Sequence, residues 1–305
     1  MTCLSSLVLV LLLFGFSTGI VAAEDRADTE MIVGGKPAKA GKFPYQVRLY
    51  ASHDDEKGFC GGSIIDPQWI LTAGHCLVED QEQDGPRSPL EVVFVGYGST
   101  DRTATTKVKS AAIVVHPLYL EKAIAGGSDI ALIKLSEPIP GTRTVAIANP
   151  DTEKAIVTRG VKATVTGWGA IWDPDDKDVV ALLSKIEPQA DVTQKLRFPR
   201  KLHEANIHVM DREECRTIYA PQEVGIADTE ICALKPRSVT NSCYGDSGGP
   251  LVVLAEEPRR YVQIGVVSWG DRCGRLGNPN VFARVASFSD WIAQTMAENG
   301  TPASQ

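Results

Sequence analysis

The chain has 305 residues, 43% hydrophobic and 23% charged, which is ordinary globular composition with ample apolar material for a core. Its formal charge is −7, and no basic cluster marks a nucleic-acid or anionic-membrane partner.

The N-terminus differs from the rest. Leu7 to Phe14 is an unbroken apolar run, and Val21-Ala22-Ala23 offers the small side chains that signal peptidase accepts. No Lys or Arg precedes the run, which departs from the usual pattern. The rival, a membrane anchor, is disfavoured because the run is short for a span and an acidic segment follows. Residues 1–23 are therefore expected to be a cleaved signal peptide, 24–31 an acidic propeptide, and 32–305 the working domain of a secreted, extracellular protein with no membrane attachment after cleavage. Residues 24–31 carry four acids against one Arg, so the part from Ile32 onward holds −4.

Secretion makes disulfides plausible. Of seven cysteines, Cys3 leaves with the signal, and Cys60, Cys76, Cys215, Cys232, Cys243 and Cys273 remain. Spacing alone cannot choose among the roughly 15 pairings of six cysteines. A zinc site is discounted, since no Cys-x-x-Cys or His-Glu-x-x-His spacing occurs.

From Ile32 onward, short strands separated by turns are predicted at Tyr45–Tyr50, Glu91–Val95, Ala111–Val115, Ile130–Leu135, 161–166, Ala205–Val209, Leu251–Leu254 and Gln263–Trp269. In 161–166, Val161, Ala163 and Val165 alternate with Lys162, Thr164 and Thr166, the pattern of a half-buried strand. Such a chain is all-β, a barrel or a sandwich. About 270 residues are many for one core, so two are expected. A helix is predicted over Ser287–Ala297, with Ser287 and Asp290 as a variant capping box, and a shorter one from Asp211 with Glu214 in the same relation. The loop Asp173-Pro174-Asp175-Asp176-Lys177-Asp178 is expected to be a solvated excursion; the functional rival is a substrate exosite or a cleavage loop.

Three motifs carry chemistry. Leu71-Thr72-Ala73-Gly74-His75-Cys76, Ser128-Asp129-Ile130-Ala131-Leu132 and Gly245-Asp246-Ser247-Gly248-Gly249-Pro250 supply a base, a carboxylate and a nucleophile in that order. A serine hydroxyl attacks poorly until an imidazole takes its proton, and the imidazole needs a third group to fix its tautomer. With Ile32-Val33-Gly34-Gly35, Cys60-Gly61-Gly62-Ser63, Gly167-Trp168-Gly169, Ser268-Trp269-Gly270 and Asn278-Pro279, these residues resemble the chymotrypsin/trypsin family of secreted serine endopeptidases, from Ile32 to about Ala297.

The resemblance implies two six-stranded antiparallel Greek-key barrels, a C-terminal helix, and an active site in the cleft between the barrels. It implies His75, Asp129 and Ser247 as the triad, the N–H groups of Gly245 and Ser247 as the oxyanion hole, and no cofactor. It pairs Cys60–Cys76, Cys215–Cys232 and Cys243–Cys273. It assigns Asp246 to the new ammonium group of Ile32 after propeptide removal, rather than to an ordinary turn. His53, His116, His203 and His208 lack the motif context and are assigned to structure or surface. Polypeptide substrates, an activating protease and protein inhibitors are the partners implied, acting on a monomer. The rival from another class is a non-catalytic binding protein on the same scaffold.

The sequence departs from the family at several points. Trypsin-like members carry an Asp six residues before the nucleophile; here that position is Asn241. Asn280 follows Asn278-Pro279 where a Gly is usual. Ser268, Trp269, Gly270, Asn241 and Asn280 are therefore expected to form a pocket that is not strictly Arg/Lys-specific, with Tyr244 at its entrance and Gly126 leaving a neighbouring subsite open. Tyr97 and a lone Asp101 give thin support for calcium, so no metal is expected. The segment 171–196 is longer than the family norm. Met31, not a basic residue, precedes Ile32. Asn299-Gly300-Thr301 is a sequon whose use Pro302 makes doubtful.

Overall fold

The computed structural model describes residues 35–79, 87–122, 126–170, 198–256 and 258–300. The signal and propeptide expectations, Ile32 and the long 171–196 segment lie outside them.

The first barrel contains β2 (Gln46–Tyr50), β3 (Cys60–Asp66), β4 (Trp69–Thr72), β5 (Phe94–Tyr97), β6 (Thr106–Val115) and β7 (Ala131–Leu135). It closes in the order β2-β3-β4-β7-β6-β5. The second contains β9 (Lys162–Gly167), β10 (His203–Val209), β11 (Glu230–Leu234), β12 (Pro250–Glu256), β13 (Arg259–Gly270) and β14 (Asn280–Arg284). It runs β10-β11-β14-β13-β12-β9 and closes through β9 on β10. Short β1 (Lys36–Pro37) adds to β10, and β8 (Ala146–Ile147) runs parallel to β13. Closure pairs every strand on both sides, which removes the exposed edges that an all-β chain must otherwise protect.

Apolar residues fill both interiors. Val47, Ile64, Ile70, Leu132 and Ile133 are fully buried in one, and Ala163, Val165, Ile207, Leu251, Ile264 and Phe282 in the other. Strand β9 differs from the half-buried expectation: Thr164 and Thr166 are buried along with Ala163 and Val165. Thr166 faces the first barrel, where its Oγ1 donates to Gln46 Oε1 at 2.6 Å. Ser63 Oγ donates to Gln263 Oε1 at 2.6 Å in the same seam. Such pairs satisfy polar groups buried between the barrels, which otherwise lose their bonds to water.

Helices α1 (Pro117–Lys122) and α2 (Pro150–Ile156) were not anticipated by the sequence reading. Helix α3 (Arg212–Tyr219) begins as predicted at Asp211, whose carboxylate accepts from the N–H groups of Glu213 and Glu214. Helix α4 (Ser289–Glu298) follows a 3₁₀ turn over Val285–Phe288. The predicted Ser287/Asp290 box is not formed: the N-cap is Phe288 and makes no side-chain bond. The preceding turn takes up Ser287, so the helix begins two residues later. Phe288 and Trp291 pack edge-on against His116. Three disulfides join Cys60–Cys76, Cys215–Cys232 and Cys243–Cys273, with Cα atoms 6.2, 6.4 and 5.1 Å apart.

Candidate active site

His75 lies in a 3₁₀ turn, Gly74–Leu77, directly after β4, and the Cys60–Cys76 disulfide ties this turn to β3. Asp129 precedes β7, the strand that pairs with β4, so the register Thr72↔Ala131 brings the two residues together. Asp129 is 2% exposed and is held on three sides. Its Oδ1 accepts from the His75 backbone N–H at 2.8 Å, its Oδ2 bonds His75 Nδ1 at 2.8 Å, and Oδ2 also accepts from Ser268 Oγ. Ser268 reaches it from the second barrel because β13 carries a bulge between Val267 and Trp269, and bulges re-aim side chains.

Burial is the largest influence on both titrating groups and disfavours their charged forms. It is outweighed in each case. The charge and bond of Asp129 hold His75 above its ordinary 6.5. The charge and bond of His75, with the Ser268 bond, hold Asp129 below its ordinary 3.8. The Nδ1 bond leaves Nε2, which lies 3.7 Å from Cys76 Sγ, as the nitrogen that a general base would use.

Ser247 lies on the turn before β12. This turn accounts for nearly all its backbone groups. Asp246 N–H donates to Cys243 C=O at 2.9 Å, Gly249 N–H to Asp246 C=O at 2.9 Å, Gly61 N–H to Ser247 C=O at 2.7 Å, and Ala170 N–H to Tyr244 C=O at 2.7 Å. The N–H groups of Gly245 and Ser247 have no hydrogen-bond partner among the described residues. Gly245 has φ of 89° and Gly248 77°, values that only glycine adopts freely. No hydrogen bond joins Ser247 Oγ to His75 Nε2 among the described residues; such bonds are often long before substrate binds.

Asp246 is fully buried. Its carboxylate accepts from Gly169 N–H at 2.7 Å and Cys243 N–H at 2.9 Å. A Cβ on Gly169 would stand 2.4–2.5 Å from that carboxyl group, so glycine is what makes the cradle. Burial raises Asp246 from 3.8 to about 6, against those bonds and the Arg48 charge. No salt bridge to Asp246 occurs among the described residues.

A cavity of about 170 Å³ opens beside Ser247, lined by Ser268, Trp269, Gly270 and Asn280 together with Ser242, Cys243, Tyr244, Val267, Arg272 and Cys273. Tyr244, 49% exposed, stands at its rim. Asn241 departs from expectation: it is 2% exposed and does not line the cavity. Its Nδ2 donates instead to Asn278 C=O at 3.2 Å, and its buried Oδ1 has no partner among the described residues. Asn280 does line it, fixed by accepting from Ser242 N–H at 2.8 Å. Gly126 does not face open space, since a Cβ there would meet Lys122 Cβ at 3.0 Å. The sequence reading missed Arg272, the one charged side chain of the lining, held in the left-handed region at φ 60°.

Among the described residues, Cys60, Cys76 and His75 cluster as metal ligands would, but the disulfide consumes both sulfurs, leaving no thiolate. Asp101 engages Arg200 with both carboxylate oxygens and Lys201 with one. His53 pairs with exposed Asp54, and His203 Nδ1 bonds Lys201 C=O, so both serve local structure. His208 Nδ1 is buried with no partner among the described residues.

Two closed six-stranded barrels, with His75 and Asp129 on the first and Ser247 on the second, define the architecture of the trypsin-like serine proteases. The trypsin family profile matches residues 32–292, and the chain belongs to that family. It is 30% identical over 272 residues to transmembrane protease serine 9 of Rattus norvegicus, a match covering 89% of this chain and 22% of that protein. The chain thus spans about a fifth of that relative's length. Among the described residues, no helix is long and apolar enough to cross a membrane. The family acts on polypeptides.

Proposed function

We propose that this protein is a secreted serine endopeptidase, made as a zymogen, that cleaves peptide bonds through an acyl-enzyme. The observation that carries the reading is the buried Asp129 bonded to His75 Nδ1 beside a serine turn with two unpartnered N–H groups. Ser247 Oγ attacks the peptide carbonyl while His75 Nε2 takes its proton. The tetrahedral oxyanion forms against Gly245 N–H and Ser247 N–H, fixed donors that need no reorganisation. His75 then returns the proton to the leaving amine, the C–N bond breaks, and the acyl group stays on Ser247. Water, deprotonated by His75, releases the acid and restores the serine.

Activation follows cleavage of Met31–Ile32. The Ile32 ammonium pairs with Asp246, whose buried carboxyl is otherwise held near the edge of ionisation; an unpaired buried charge costs several kcal/mol, roughly 3–5. Trypsin-type cleavage after Met31 is unfavourable, so slow self-activation is proposed, with a non-tryptic protease as the alternative.

The side chain preceding the cleaved bond enters the cavity beside Ser247. That cavity has no carboxylate to neutralise Lys or Arg, and Arg272 repels both. Medium uncharged side chains such as Met, Leu, Asn or Gln are the proposed preference. Peptide-library cleavage by the mature protein tests the reading: hydrolysis after such residues, absent from Ser247→Ala and His75→Ala, is expected. Equal hydrolysis by Ser247→Ala would remove the assignment, and a strong Arg/Lys preference would remove the specificity.

A further inference from the structure

Among the described residues, Arg48 is the one buried Lys or Arg, and the mechanism above does not use it. It sits mid-strand in β2 at 2% exposure, where strand alternation alone suggests a solvated side chain. Its guanidinium donates only to main-chain carbonyls. Nε bonds Lys57 C=O at 2.7 Å, Nη2 bonds Gly58 C=O at 3.0 Å, and Nη1 bonds Gly245 C=O at 3.3 Å. The first two anchor the planar fork to the first barrel. The third crosses to the second barrel, to the residue that carries a proposed oxyanion donor.

The space for this group is built. A Cβ on Gly58, at φ 64°, would stand 2.7 Å from Arg48 Nε and 2.9 Å from its Cγ. The same Cβ would stand 2.7 Å from the Leu49 carbonyl oxygen, so any larger residue there disturbs both the guanidinium and the β2 backbone. A buried charge without an opposite charge bonded to it is unfavourable and persists only where something holds it. Burial, with the nearby Arg102 charge, accordingly lowers Arg48 to about 10, partly offset first by Tyr50 and then by the charges of Asp246 and Asp55.

The Gly245–Asp246 peptide is thereby gripped at both ends. Arg48 holds its C=O, and Cys243 C=O holds its N–H at 2.9 Å. That peptide fixes ψ of Gly245 and hence the direction of the turn carrying the Gly245 and Ser247 N–H groups. We propose that Arg48 is a positioning residue for the oxyanion turn, a guanidinium anchored on residues 57–58 of the first barrel that orients the Gly245 carbonyl in the second. It touches no substrate and acts through Gly245. The inference rests on the peptidase reading given above.

The test uses mature protein cut at Met31–Ile32, with Arg48→Met, Arg48→Lys and Gly58→Ala variants counted by active-site titration. Loss of one oxyanion donor costs about 10²–10³ in kcat, so disorienting the turn is expected to lower kcat by about 10–100-fold with KM little changed. Affinity for a peptide boronate, which forms a tetrahedral oxyanion, should fall in parallel. Affinity for the matched reduced-amide peptide, which cannot place an oxyanion, should stay. Arg48→Lys keeps the charge but not the fork and should be intermediate; Gly58→Ala should follow Arg48→Met. Wild-type kcat and boronate affinity in Arg48→Met overturn the proposal. So does a kcat loss matched by equal loss of reduced-amide binding, the mark of a merely structural role. If Arg48→Met fails to fold, Arg48→Lys decides: a several-fold lower kcat with intact reduced-amide binding supports the proposal, and wild-type kcat overturns it. Should wild type itself neither hydrolyse peptides nor react with a fluorophosphonate, the peptidase reading falls rather than the role of Arg48.

Discussion

Asp129→Asn perturbs the active site at its most constrained point. The substitution is nearly isosteric, but it removes the negative charge and turns one of two acceptor oxygens into an N–H donor. Asp129 Oδ1 and Oδ2 together accept from the His75 N–H, from His75 Nδ1–H and from Ser268 Oγ. The new amide cannot serve all three, so His75 loses either its orientation or its tautomer. In wild type, His75 lies above 6.5 because the Asp129 charge and bond outweigh burial. Without that charge, burial prevails and His75 falls below 6.5; each unit moved is about 1.4 kcal/mol of differential interaction. The sign follows from the chemistry: a general base must be neutral, so activity is lost as pH falls through the His75 pKa. The acid limb of kcat/KM is expected to have its midpoint above 6.5 in wild type and below 6.5 in the variant. The plateau should fall by about 10⁴, the loss this substitution produces in the family, equivalent to about 5.4 kcal/mol of barrier. The assay is kcat/KM on one uncharged peptide from pH 5 to 9, with folding checked by denaturant midpoint. An acid limb that stays in place in Asp129→Asn refutes the electrostatic account of the pair.

Three further outcomes are expected. Arg272→Glu replaces about 1 kcal/mol of repulsion at the pocket by about 1 kcal/mol of attraction and should raise kcat/KM for Lys and Arg peptides about 30-fold relative to Leu peptides; an unchanged ratio in matched-peptide kinetics removes Arg272 from the specificity argument. Mature protein should lose activity as pH rises through the Ile32 amine pKa, because that amine is stabilised in its charged form and its contribution is present below, and lost above, that value; an alkaline plateau extending past pH 11 argues against the ammonium switch. Phe282→Ala opens a void in the second barrel, where Phe282 is 0% exposed, and should destabilise by about 3–5 kcal/mol in urea unfolding; a change under about 1 kcal/mol contradicts the packing described.

Much of the fold was legible because strands such as 161–166 and Gln263–Trp269 are rich in β-branched and apolar residues between turns, although residues 163–166 and 262–268 are buried throughout rather than alternating. Others were hidden for physical reasons. β3 begins Cys-Gly-Gly-Ser, small residues with no apolar alternation, and all four residues of β4 are buried, so neither shows a polar face. Thr166 read as solvent-facing because its real neighbour is Gln46 of the other barrel, and Thr164 because its hydroxyl bonds Asn206 on the adjacent strand β10. Ser287 has cap chemistry but lies within a 3₁₀ turn that local sequence does not announce. At the site, the three motifs located His75, Asp129 and Ser247 because local order and context were specific. The pocket was less legible. Asn241 turns its amide toward Asn278, and Arg272 enters the lining through a left-handed backbone that no motif marks. Arg48 gave no signal beyond an arginine in a strand; only Gly58, 10 residues away, reveals the space made for it.

Every step proposed above depends on Ser247 acting as a nucleophile activated by His75. A biotinylated fluorophosphonate forms a stable bond only to such a serine, and the labelled peptide can be sequenced by mass spectrometry. Stoichiometric labelling of mature wild type on Ser247 is expected, with none in Ser247→Ala and little in His75→Ala. Unlabelled wild type, or labelling at another residue that persists in Ser247→Ala, would contradict it.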